Sequence, residues 1–85
     1  MLKIYGTMLC EDCAAFAERL KESDIAYTFC EFEDSLDNLR EFIRLRDSEP
    51  VFDAVKAEGG IGIPCILKED GSCTLDWESC LKAQT

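Results

Sequence analysis

An α/β fold, with a four-stranded mixed sheet, helices on both faces and the element order βαβαββα, is what this 85-residue sequence predicts. Three observations carry it. Two β-rich stretches, Leu2-Lys3-Ile4-Tyr5 and Ile25 to Phe32, flank an apolar repeat of helical period, which is the pattern of a βαβ unit with parallel strands. A second helical repeat begins at Leu36. A turn at Glu69-Asp70-Gly71 then joins two short apolar stretches ahead of a final helix, the signature of an antiparallel hairpin. A sheet of this mixed kind buries both faces, so helices are expected on each.

Taken in order, Leu2-Lys3-Ile4-Tyr5 alternates and opens the sheet, and Gly6-Thr7-Met8-Leu9 is a loop that delivers Cys10. From Glu11 to Lys21, Cys13, Phe16, Ala17 and Leu20 share one helical face. Acidic residues open this helix and basic ones close it, as the helix dipole prefers. Ser23-Asp24 breaks it, and Ile25 to Phe32 forms the second strand. Asp34-Ser35 offers a cap before Leu36, Leu39, Phe42, Ile43 and Leu45. Pro50 stops or restarts that helix, with Ser48 as a new cap and Val51, Phe52 and Val55 as the next apolar face, and Gly59-Gly60 ends it. Ile61 to Lys68 reads as a third strand carrying Pro64 near its start, and Ser72 to Leu75 as a fourth. Asp76 caps the last helix, with Trp77, Cys80 and Leu81 inward. No repeat or linker interrupts the chain, so residues 1–85 are expected to form one module.

Composition narrows the function. A net charge of −9 repels phosphate, which argues against nucleic acid and against anionic membrane surfaces. The 47% hydrophobic content is enough for a packed core. No apolar run is long enough to cross a bilayer, and the first residues are too short and too soon interrupted to form a signal peptide, so a cytoplasmic setting is expected. Six cysteines in a reducing compartment point to catalysis or metal rather than to a disulfide scaffold.

The Cys10-Glu11-Asp12-Cys13 run carries the chemistry. Residues three apart on a first helical turn lie close enough for a disulfide. Cys10 falls at the N-cap end, where unpaired N–H groups and the dipole favour a thiolate, and Cys13 falls one turn deeper on the apolar face. The exposed sulfur is therefore expected to attack a substrate disulfide and the buried one to resolve the mixed disulfide. Glu11 and Asp12 set negative charge beside the reduced, charged form, which predicts a comparatively reducing couple. The alternative is half of a zinc site. That needs two more ligands, whereas the chain has no histidine and its other cysteines, Cys30, Cys65, Cys73 and Cys80, occur singly.

With strand, C-x-x-C, helix, strand and Ile63-Pro64 opening the third strand, the chain resembles the glutaredoxins of the thioredoxin superfamily over nearly its whole length. It is most similar to the small glutaredoxin-related proteins whose third strand is introduced by Gly60-Ile61-Gly62-Ile63-Pro64. The resemblance implies a thioredoxin-like fold and a cis Pro64 standing against the cysteine pair. It also implies that the Ile63 backbone pairs with an extended substrate. Asp76 would bind the γ-glutamyl amine of glutathione. The expected activity is dithiol–disulfide exchange with a disulfide-bearing protein or glutathione. No cofactor is tightly bound, and the reductant is either glutathione or a thioredoxin-reductase-like flavoprotein. The sequence departs from the glutathione-using pattern at Thr7, where a lysine is usual, at the Glu11-Asp12 spacer, and at Gly71, which lacks a second glycine.

Cys65 should face away from Cys10 if Pro64 faces toward it, because strand side chains alternate. Cys30 and Cys80 read as core, and Cys73, beside a turn, as the most exposed of the remaining thiols. Arg46 and Lys56 are read as solvated, with a carboxylate contact as the alternative, and Glu31 is given no role. Two other functional classes stay open: a metal or iron–sulfur module built on the same cysteines, and a scaffold used only for protein contact.

Overall fold

The computed structural model describes residues 1–83, so that of the unit expected over residues 1–85 the last two lie outside the described residues. Strand β1 (Leu2–Gly6) leads into helix α1 (Glu11–Lys21), strand β2 (Tyr27–Glu31) and helix α2 (Leu36–Ser48). A 3-10 turn at Pro50–Phe52 passes directly into the short helix α3 (Asp53–Ala57). Strands β3 (Cys65–Leu67) and β4 (Cys73–Thr74) and helix α4 (Trp77–Ala83) complete the fold.

The strands lie in the order β2-β1-β3-β4. β1 runs parallel to β2 and antiparallel to β3, and β3 pairs antiparallel with β4. The sheet is thus mixed and four-stranded. Alternation along each strand divides the core in two. Ile4 is paired with Ile66 and packs with Phe16 and Leu20 of α1 and with Cys80 and Leu81 of α4 on one face. Tyr5, paired with Cys30 and Cys65, packs with Phe42 of α2 and with Phe52 on the other. Trp77 reaches the first cluster by stacking at 5.5 Å, centroid to centroid, on Phe16.

Several expectations need correction. The order is βαβααββα rather than βαβαββα, because the chain restarts a distinct helix after Pro50. Glu49, not Ser48, occupies the position before that restart. The residue preceding a proline is pushed to extended backbone, and Glu49 takes φ −94° and ψ 126°. Ser48 instead ends α2, its hydroxyl donating to the Arg44 carbonyl. The third strand begins at Cys65, not Ile61. Pro64 has no N–H to give a ladder, and Gly62 adopts a left-handed φ of 96°, which removes 61–64 from the sheet. The second strand is likewise shorter than 25–32, and the fourth is reduced to Cys73–Thr74. On α2 the buried anchor is Phe42, whereas Leu36 and Ile43 are exposed.

Candidate active site

α1 begins where β1 has ended on the parallel side of the sheet, so its N-terminus opens at the sheet's edge of carboxyl ends, the usual place for a site in α/β folds. Cys10 is the N-cap, in extended backbone at φ −91° and ψ 126°, and its sulfur makes no capping hydrogen bond. Its carbonyl accepts from the Ala14 N–H at 3.0 Å and starts the helix. The side chain is half-buried.

Cys13, one turn on, is 0% exposed. Burial pushes its thiol up to about 12, the Thr7 backbone opposes the shift, and a hydrogen bond with Cys10 adds to it. The two sulfurs are therefore neighbours, the outer accessible and the inner held protonated. Cys13 fits only because β1 ends in Gly6: a Cβ there would lie 2.6 Å from the Cys13 Sγ.

The loop that presents Cys10 is tied down from β2. The Glu31 carboxylate accepts from the Met8 N–H at 2.8 Å and from the Glu33 N–H at 3.2 Å. Burial alone would raise this carboxyl; hydrogen bonds from the Met8 and Glu33 N–H groups and the Thr7 hydroxyl outweigh it and hold the group below the usual carboxylate range. Thr7 also accepts the Cys10 N–H through its carbonyl at 3.0 Å, closing a tight turn. At the position where the glutathione pattern has lysine, Thr7 thus shapes the loop.

Facing Cys10 is a shallow groove of about 500 Å³, lined by Cys10, Val55, the 60–63 segment and Leu75. The structure therefore brings two of the expected site residues, Cys10 and Ile63, to one place. Pro64 is buried behind it, and the Ile63–Pro64 bond is cis. The groove wall lies on Phe52 and Val55: a Cβ on Gly62 would lie 2.8 Å from the Phe52 ring, and one on Gly60 would lie 2.6 Å from Val55. Arg46 of α2 holds the wall's backbone, its Nε donating to the Ile61 carbonyl at 2.9 Å and its Nη2 to the Gly60 carbonyl at 2.8 Å. It is neither simply solvated nor a free carboxylate anchor.

Asp76 lies elsewhere. It lines a separate cleft of about 670 Å³ with Met1, Ile25 and Lys68, although its neighbour Leu75 reaches the Cys10 groove. Its carboxylate caps α4, accepting from the Ser79 hydroxyl at 2.6 Å and the Ser79 N–H at 3.2 Å; the hydroxyl leads these two bonds in holding it below the usual carboxylate range. Cys65 is 0% exposed on the α2 face of the sheet, opposite the α1 cluster, and burial pushes its thiol up to about 12. Cys30 and Cys80 are buried in the two clusters. Cys73 is half-buried, with its sulfur in hydrogen-bond reach of Cys65. Among the described residues no group of three or more histidine, cysteine, aspartate or glutamate side chains is gathered as a metal site. No helix among them is long and apolar enough to cross a membrane.

Gly6 and Glu31 are not legible in the sequence as site residues, and Arg46 is singled out there only as solvated or as a carboxylate contact, not as a tie to the groove wall. Gly6 and Glu31 are register partners across β1 and β2, so a correct strand alignment would have set the carboxylate beside the loop. No local signal in the sequence marks that tie.

No protein-family model matches the chain, and no solved structure matches it. An uncharacterized protein of Haemophilus influenzae is 45% identical to it over 67 residues, which cover 79% of this chain and 78% of that protein.

Proposed function

We propose that this chain, which belongs to the same family as the uncharacterized Haemophilus influenzae protein, is a dithiol–disulfide oxidoreductase with a thioredoxin-like fold of the glutaredoxin type. One observation carries the reading: an accessible sulfur at the N-cap of a helix, lining a groove, lies beside a second, buried sulfur one turn on. Cys10 is the accessible sulfur of the pair and is therefore the nucleophile.

The Cys10 thiolate attacks one sulfur of a substrate disulfide. A Cys10–substrate disulfide forms, the substrate S–S bond breaks, and the other substrate sulfur leaves as a thiolate that takes up a proton. Cys13 then loses its proton as its sulfur bonds to that of Cys10, expelling the second substrate thiol. The substrate gains two electrons and two protons, and the protein is left with a Cys10–Cys13 disulfide. An external thiol or a flavoprotein reductase restores the dithiol. The high proton affinity of Cys13 suits a resolving group, which must not compete for substrate before the mixed disulfide exists. Ile63 lies two residues before Cys65, outside the β1–β3 pairing and in the groove wall, which supports a role for its backbone in aligning an extended substrate. A reducing cytoplasmic setting matches a resting dithiol.

Reduction of a disulfide-bonded peptide by Cys10→Ser and Cys13→Ser variants tests the reading. Cys10→Ser should lose turnover by about a thousandfold or more. Cys13→Ser should stop at a covalent adduct whose mass equals protein plus one substrate thiol. Wild-type turnover in Cys10→Ser would refute the mechanism.

A further inference from the structure

We propose that the Cys10 groove takes an extended peptide segment with apolar side chains flanking its disulfide, in preference to glutathione. The inference deepens the oxidoreductase reading and rests on it. Among the described residues no charged side chain lines the groove, whose side-chain walls are Val55, Ile61, Ile63 and Leu75. Apolar side chains are also exposed here: Ile61 of the groove wall is 60% exposed, and Leu9 and Met8, which directly precede Cys10 in the chain, are 80% and 47% exposed.

Glutathione brings two carboxylates against one ammonium, so its net negative charge favours a site that presents cations. Of the two cations the sequence offers for this, Lys56 is not among the groove's lining residues, and Arg46 spends its Nε and Nη2 on the carbonyls of Ile61 and Gly60. Glu11 and Asp12, in the first turn of α1, instead set negative charge beside Cys10, on a chain of net charge −9. The charge pattern therefore repels the tripeptide that the fold would suggest. An extended protein segment has what the surface lacks and needs: a backbone to align along Ile63, and side chains that alternate so that residues beside the half-cystine meet Ile61 and Leu9. Withdrawing one such apolar side chain from water accounts for a tenfold or larger preference.

The test uses the reduced full-length protein and redox-inert probes. These are a short peptide with serine in place of cysteine and leucine on either side, the same peptide with aspartate on either side, and S-methylglutathione. Calorimetric titration should show the leucine peptide binding at least tenfold more tightly than either other probe. Ile61→Ser and Leu9→Ser, both at exposed positions, should each weaken it about fivefold or more. Binding of S-methylglutathione or the aspartate peptide within threefold of the leucine peptide overturns the proposal. So does unchanged binding in both variants, or no measurable binding of the leucine peptide. Turnover of bis(2-hydroxyethyl) disulfide on the same sample reads the chemistry separately. Turnover without selective binding defeats the substrate assignment alone, whereas selective binding without turnover upholds the apolar surface and removes the oxidoreductase reading.

Discussion

At Gly6 the missing side chain leaves room for a sulfur. A Cβ there would lie 2.6 Å from the Cys13 Sγ and 3.7 Å from the ring of Phe29. Cys13 is wholly buried, which leaves its sulfur little room to yield. Gly6→Ala should therefore destabilise the fold by about 1–3 kcal/mol, the usual cost of overfilling a packed site. It should also slow resolution of the mixed disulfide, because the displaced sulfur no longer aligns with Cys10. Denaturant unfolding and single-turnover thiol release check the two effects; a variant as stable and as fast as wild type would show that the sulfur shifts freely. Cys65, by contrast, follows Pro64 yet points into the α2 cluster, so Cys65→Ala should leave turnover intact and cost stability only.

Between elements, two side chains hold opposite walls of the site. Glu31, at the end of β2, anchors the Thr7–Met8 loop, and its carboxyl is held below the usual range in the folded chain. A folded-state value lower than the unfolded one gives stability that is present above the unfolded value and lost as pH falls through the folded one. Acidification through and below the ordinary carboxylate range should therefore loosen the loop. Glu31→Gln should cost about 1 kcal/mol at neutral pH and flatten this acid limb, as urea titrations at several pH values would reveal. A variant with the same acid limb as wild type would remove Glu31 from that role. Arg46, on α2, donates to two carbonyls of the facing wall. Arg46→Ala should cost about 1.5 kcal/mol and raise KM for an extended substrate more than it lowers kcat. Lysine cannot reproduce the fork, so Arg46→Lys should restore the charge without restoring KM.

For the molecule as a whole, the thiols set an alkaline limit. Burial raises Cys13 and Cys65 from 9.0 to about 12 and pushes Cys30, Cys73 and Cys80 upward as well. Groups whose folded-state values are raised contribute stability that is complete below the unfolded value and is lost as pH rises toward the folded one. Stability in the presence of reductant should thus fall between pH 9.0 and about 12, by about 1.4 kcal/mol per pH unit for each thiol that ionises only when unfolded. Combined Cys30→Ala and Cys80→Ala substitution should make the fall shallower. An unchanged slope in that variant would assign it to other groups, of which Tyr5, itself raised by burial and by its hydrogen bond to Glu41, is the first to test.

Local periodicity and turn chemistry by themselves determined the mixed α/β layout, the span of α1, the Ser35 cap of α2 and the meeting of a cysteine pair with a helix start. Each depends on neighbours a few residues apart, which a sequence displays directly. Strand ends were less legible, because 61–64 is as apolar as a strand but is barred from the ladder by Pro64 and by the left-handed backbone at Gly62. Only the tertiary structure decided that Gly6 and Glu31 adjoin across two strands, that Arg46 crosses to the Gly60–Ile61 carbonyls, and that Asp76 lines a cleft apart from the Cys10 groove. Those contacts join residues far apart in the chain or depend on which way a polar side chain turns, and neither propensity nor spacing encodes either.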